Sequence, residues 1–141
     1  MIRDVPQGEL HPSSNLTNAV LWDADITGAS LQGTNLTGAI LVDANLQGAS
    51  LTGAKLHGAK FSTADKSLQS KITSGAVTNS ANLANADLSG ADLTDADLRG
   101  VNLTGANLTN ADLRGARLTG AKLARAKTRG ARGLPPSPSP D

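Results

Sequence analysis

The run Ala91-Asp92-Leu93-Thr94-Asp95-Ala96-Asp97-Leu98-Arg99-Gly100 states the same five-residue phrase twice: a small residue, a polar one, Leu, another polar or charged one, and a turn-former. The phrase extends in both directions. Its apolar centres continue through Leu83, Leu88, Leu103, Leu108, Leu113, Leu118 and Leu123. An earlier block places them at Leu16, Leu21, Ile26, Leu31, Leu36, Leu41, Leu46, Leu51, Leu56 and Phe61. Two residues before each centre stands a small residue, nearly always Ala, with Ser14, Thr34 and Val101 as departures.

A period of five fits neither regular element. On an α-helix each step of five turns about 500°, so the leucines wander around every side. On one continuous strand an odd step sends successive leucines to opposite faces. The chain must therefore turn once per repeat. Two residues after the centres stand Asn18, Asp23, Gly28, Gly33, Gly38, Asp43 and Gly48, the residue types that tolerate tight-turn backbone angles. The Ala and Leu, two apart, point inward together. The intervening residue and the one after the Leu point outward, and those positions are mostly polar, as at Asn15, Thr17, Asp25, Thr27, Asn35 and Thr37. Two repeats break this rule, Ala19-Val20-Leu21-Trp22-Asp23 and Ala39-Ile40-Leu41-Val42-Asp43, and they stand twenty residues apart. If four repeats close one coil, Val20, Trp22, Ile40 and Val42 stack at the spacing of neighbouring strands, about 4.8 Å, and form one apolar patch.

The pattern resembles the A(D/N)LXX signature of the pentapeptide-repeat family. That resemblance implies an all-β fold, a right-handed quadrilateral β-helix with the central Leu or Phe and the preceding Ala inside. It implies little about activity, because the family includes topoisomerase-binding DNA mimics beside many proteins of other roles.

The expected organisation is an N-terminal segment 1–13, a first block 14–63, an interrupting loop or irregular repeats 64–75, a second block 76–133, and a disordered Pro-rich tail 134–141. The interruption follows from the interval between Phe61 and Leu83, which is four repeats plus two residues. The tail carries Pro135, Pro136, Pro138 and Pro140, a polyproline-II composition with a PxxP ligand as its minor reading. Residues 1–13 hold two prolines, two acids and no apolar run, so the expected setting is soluble and cytoplasmic, with no membrane span.

Composition excludes whole classes of chemistry. There is no Cys among 141 residues, hence no disulfide and no thiolate nucleophile or metal ligand. One Trp, one Phe and no Tyr rule out an ordinary aromatic core. The histidines are His11 and His57, and His57 sits outward near Lys55 and Lys60. Asp87, Asp92 and Asp97 fall on successive sides of the coil and diverge, which denies them an acid/base partnership. The fifteen glycines are spaced for corners rather than for a phosphate loop. No catalytic, cofactor or metal site is expected, and the chain is read as a non-enzymatic interaction or scaffold module. The alternative is a DNA-mimicking gyrase binder of the quinolone-resistance type; a net charge of +1 and a basic C-terminal region stand against it.

Two surfaces are candidates for contact. Val20, Trp22, Ile40 and Val42 are either covered by the chain itself, through Leu68 and Ile72 or through Ile2, Val5 and Leu10, or they bind a protein partner or second copy. The C-terminal region gathers Arg114, Arg117, Lys122, Arg125, Lys127, Arg129 and Arg132 with no acid among them. A solvated cap of the solenoid is the leading reading there. Nucleic acid ranks below it, because no aromatic residue is interleaved for base stacking.

Overall fold

The computed structural model describes residues 13–62 and 80–135, and among them there is no helix. Parallel bridges join Asn15 to Asn35, Val20 to Ile40, Asp25 to Asn45 and Ser30 to Ser50, each to a residue one coil further on. Four bridges occupy one 20-residue circuit, so every coil has four sides. Each side is one short extended step closed by a corner. At the corner the Ala19 amide donates to the Leu16 carbonyl at 3.0 Å, and the Ala24 amide to that of Leu21 at 3.1 Å. The third residue of each such turn has positive φ, 60° at Asn18, 63° at Asp23 and 69° at Gly28, as a type II turn demands. The turn residues legible in the sequence thus fold each repeat locally.

The coils are then bonded to each other mainly through backbone. Leu16 N–H donates forward to Asn35 O at 2.7 Å, while Asn35 N–H donates back to Ser14 O at 2.9 Å. This alternation repeats along every side. It leaves the inside of the square to Ala and the central residues, and Leu36 to Leu56, Phe61 and Leu83 to Leu113 are fully buried. Each buried leucine contributes about 1.5–3 kcal/mol of transfer free energy, largely offset by the entropy of fixing its repeat.

The expected interruption, 64–75, and the weak repeats placed at 76–79 lie outside the described residues. On either side of them the coil is continuous. The Ala81 amide donates to the Phe61 carbonyl at 2.9 Å, the same corner bond that Ala19 makes to Leu16. Bridges across the join run Asn45–Asn82, Ser50–Asp87, Lys55–Asp92 and Lys60–Asp97. Phe61 and Leu83 are therefore centres of consecutive sides of one coil.

Thr34 occupies an inward position usually given to Ala. It is fully buried, and its Oγ1 has no hydrogen-bond partner. A buried hydroxyl without a partner costs about 1–3 kcal/mol. Val101 fills the equivalent position elsewhere and is also fully buried, so the fold accepts a β-branched side chain there. Thr34→Val is expected to raise stability by about 1 kcal/mol, read as a higher urea midpoint with an unchanged slope. A lower midpoint would mean that the hydroxyl is satisfied after all.

Candidate functional site

The outward Asn or Asp before each centre serves its own turn. Asn15 Oδ1 accepts the Thr17 amide at 3.2 Å and its hydroxyl at 2.7 Å. The same paired bonds join Asp25 to Thr27, Asn35 to Thr37, Asp87 to Ser89, Asp92 to Thr94 and Asn107 to Thr109. These Asx-type bonds hold the amide of the first corner residue. They explain why Asp or Asn recurs at this position without any functional demand. The Thr27 hydroxyl and amide also hold the Asp25 carboxyl below the usual carboxylate range.

Stacking assigns each carboxylate to a face. Asp87, Asp92 and Asp97 bridge to Ser50, Lys55 and Lys60, on three successive sides, so they do not converge. The Lys–Asp adjacencies join residues of the two blocks and were not apparent from local sequence. His57 changes company for the same reason. Its Nδ1 lies 2.8 Å from Thr94 Oγ1 and 4.0 Å from Asp95 Oδ2, so a carboxylate of the next coil stands beside it as well as the lysines of its own. Half of the His57 side chain remains exposed, and the hydroxyl and carboxylate beside it both face the same ring nitrogen, Nδ1, so they do not line up through the imidazole as a relay.

Arginine replaces the turn hydroxyl in two repeats. Arg99 grips Asp97 through Nε at 2.8 Å and Nη2 at 2.6 Å, and Arg114 grips Asp112 through Nε at 2.8 Å and Nη2 at 2.5 Å. The Arg114 guanidinium lowers the Asp112 pKa to about 2 from its ordinary 3.8. Between these values the unfolded chain binds the proton and the folded chain does not. The Asp112 contribution is therefore complete above about pH 4 and is lost as pH falls toward 2. Stability measured across that window should fall less steeply in Asp112→Asn than in the parent; equal slopes would remove this group from the acid response.

The apolar patch assembles as its twenty-residue spacing implied. Val20 bridges Ile40, and Trp22, Ile40 and Val42 form one cluster. Trp22 is 6% exposed and Val42 fully buried although both occupy outward positions, while Val20 is 39% exposed. Ser62, next along that side, is buried too. Within one chain three of the patch's four side chains are shielded from water. The segments expected to cover it, with Leu68 and Ile72 or Ile2, Val5 and Leu10, lie outside the described residues. Trp22 fluorescence should be blue-shifted and shielded from iodide at nanomolar protein. Protection that grows with concentration would instead make this an intermolecular contact.

The basic residues encircle the C-terminal end instead of forming one stripe. Arg117, Lys122, Lys127 and Arg132 bridge to Asp97, Asn102, Asn107 and Asp112, one on each of the four sides. Arg114 is engaged by Asp112. The sequence placed Leu134 in a disordered tail, but its side chain is partly buried against the core. Gly133 stands where a central Leu would be, and there the chain passes so close to the Leu113–Arg114 backbone that a Cβ would collide with it. Residues 136–141 of the expected tail lie outside the described residues.

Among the described residues no group of His, Asp and Glu has the arrangement of a metal site, and no helix is long and apolar enough to cross a membrane. A family model for pentapeptide repeats matches residues 13–41, 29–65 and 81–120, in 8 copies. Solved structures of cyanobacterial and plant proteins agree with it. HetL from Nostoc sp. strain PCC 7120, a protein involved in heterocyst differentiation regulation, is 34% identical with a TM-score of 0.57 over 86% of this chain and 57% of its own. The chain therefore spans little more than half of HetL. Rfr23 from Cyanothece 51142 is 28% identical with a TM-score of 0.71, covering 85% of this chain and 84% of that one. AT2G44920 from the Arabidopsis thaliana thylakoid lumen is 30% identical with a TM-score of 0.52, covering 84% and 68%. No curated protein matches the chain. The shared architecture is the right-handed quadrilateral β-helix.

Proposed function

The chain belongs to the pentapeptide-repeat family, and from that premise we propose that it is a non-enzymatic scaffold whose flat β-helix faces bind a protein partner. Proteins of this family are generally non-catalytic. The observation that supports the reading most is the use made of the outward polar groups. Each Asn or Asp from Asn15 to Asp112 that bonds a corner amide is committed to its own turn. The acids stand on separate faces, and among the described residues no nucleophile, base and oxyanion donors converge as catalysis requires. What remains is a regular array of side chains on a rigid backbone, suited to recognition by shape and surface chemistry.

The distribution of charge weighs against DNA mimicry. A duplex mimic needs a continuous acidic surface, whereas here Asp92 stacks on Lys55, and Asp97 lies between Lys60 and Arg117. Affinity capture with the intact chain as bait is the direct test. Retention of a discrete protein at moderate salt, lost when the bait is unfolded, is the expected result. A bait that retains nothing specific, or one that inhibits gyrase supercoiling at micromolar concentration, would overturn the reading in favour of no partner or of the mimic respectively.

A further inference from the structure

The bonding between coils stops part-way at the C-terminal end of the described solenoid. One coil earlier, the amides of Leu103, Gly105, Leu108 and Asn110 donate forward to Lys122, Ala124, Lys127 and Arg129, and the carbonyls of Val101 and Ala106 accept from Lys122 and Lys127. In the last coil the corresponding amides, of Leu123, Arg125, Thr128 and Gly130, bond no backbone carbonyl among the described residues. The carbonyls of Ala121 and Ala126 likewise accept no backbone amide there. The apolar interior is open at the same place. Leu98, Leu103 and Leu113 are fully buried, whereas Leu118, Leu123 and Leu134 are only partly so. A cavity of about 420 Å³ lined by Ala116, Leu118, Thr119, Gly133 and Pro135 adjoins them. An edge unpaired among the described residues, beside half-buried leucines, is a template for another strand.

The side chains around this edge specify what that strand must carry. Bridged outward residues in the described solenoid never set one cation on another and set four cation–acid pairs, Lys55 on Asp92, Lys60 on Asp97, Arg117 on Asp97 and Arg132 on Asp112, while one pair of acids, Asp92 and Asp112, also stacks. Cross-strand neighbours of opposite charge attract and like charges repel by roughly 0.2–1 kcal/mol per pair. The last layer presents Arg117, Lys122, Lys127 and Arg132, a cation on every side. Acids at the same positions in an added layer complete the ladder; further cations are rejected. A second copy of this chain is a poor complement. Its first described coil offers Asn15, Val20, Asp25 and Ser30, with one acid among the four, and its Leu21, Ile26 and Leu31 are already buried.

We propose that the C-terminal edge is a docking site for an acidic extended segment of a partner protein, which adds to the solenoid as a further coil. Its small and apolar residues, two apart, cover Leu118 and Leu123, while the Asp or Glu between them pairs with the cation collar. The proposal rests on the chain being a binding module but not on its flat faces. A partner held by a face survives charge reversal at this end, and one held by the edge does not.

The probe is a labelled peptide of four consecutive Ala-Asp-Leu-Ser-Gly units, followed by fluorescence anisotropy at moderate salt with the full chain. Binding should exceed that of a scrambled peptide of identical composition, and that of the Ala-Lys-Leu-Ser-Gly counterpart, by roughly tenfold or more. Amide exchange at Leu123, Arg125, Thr128 and Gly130 should slow in the complex. The combined variant Arg117→Glu, Lys122→Glu, Lys127→Glu and Arg132→Glu should exchange preference, losing the Asp peptide and gaining the Lys peptide. Should that variant not fold, the scrambled-peptide comparison and the exchange pattern on the parent chain decide the matter alone. Equal binding of ordered and scrambled peptides, tighter binding of duplex DNA under the same conditions, or self-association that the charge reversal abolishes would each overturn the proposal.

Discussion

Leu103→Ala is expected to destabilise the protein by roughly 2–5 kcal/mol, while Thr104→Ala, one residue on, changes stability by no more than about 0.5 kcal/mol. Leu103 is fully buried and lies between Leu83 and Leu123 in the stack. Removing its side chain forfeits the transfer free energy of the lost carbons and leaves a cavity. Collapse into that cavity is resisted because the repeat is tied on both sides: Leu83 N–H donates to Asn102 O at 2.8 Å and Leu103 N–H to Lys122 O at 2.8 Å. A solenoid cannot move one coil inward without breaking this ladder, so the upper half of the range is the expected one. The Thr104 side chain points outward, and its amide keeps its 3.0 Å bond to Asn102 Oδ1 whatever the side chain. Urea denaturation of both variants checks the contrast. Equal midpoints would show that inward and outward positions had been exchanged.

Gly115→Ala should cost more than Gly53→Ala, although both residues occupy corners with positive φ, +79° and +67°. At Gly53 an added methyl meets nothing within 4 Å. The cost there is backbone strain alone, about 1–2 kcal/mol. At Gly115 the methyl collides with Oδ1 of Asp95, the corner residue of the coil beneath. The expected cost rises toward 3 kcal/mol as that side chain is forced aside. Introducing Asp95→Gly first should remove the excess, so that Gly115→Ala then costs about what Gly53→Ala does. A double-mutant cycle by urea denaturation measures this coupling. Additive effects would mean that the stacked corners do not touch.

That corner contact recurs at three other places in the stack. Asn18 sits beneath Gly38, Asn85 beneath Gly105, and Asn110 beneath Gly130, each with its Oδ1 where a methyl would go. At these corners an Asn or Asp in the left-handed region stands beneath a Gly one coil later, whereas Asp23 stands beneath Asp43, so the pairing recurs without being obligatory. The pairs are visible in the sequence at intervals of twenty, yet they read as interchangeable turn-formers until stacking shows that one excludes a side chain on the other. The Lys55–Asp92 and Lys60–Asp97 adjacencies were harder still to see. They depend on how the chain closes between Ser62 and Ser80, and no local pattern states that Phe61 and Leu83 are consecutive centres.

The sequence by itself determined the repeat, the direction of each side chain and the four-sided coil, because all three follow from short-range physics. A five-residue period permits no continuous helix or strand, positive-φ residues set the corners, and the recurrence of the Val20 and Ile40 repeats counts the sides. Only the tertiary structure decided what the surfaces become. It buried Trp22 and Val42 at positions the pattern marks as outward, and set His57 beside Asp95. It also set four of the seven C-terminal cations one on each face around an open edge. These outcomes depend on which residues meet one coil away, across a join that shifts the numbering. That information resides in the hydrogen-bond register between coils, which no single repeat contains.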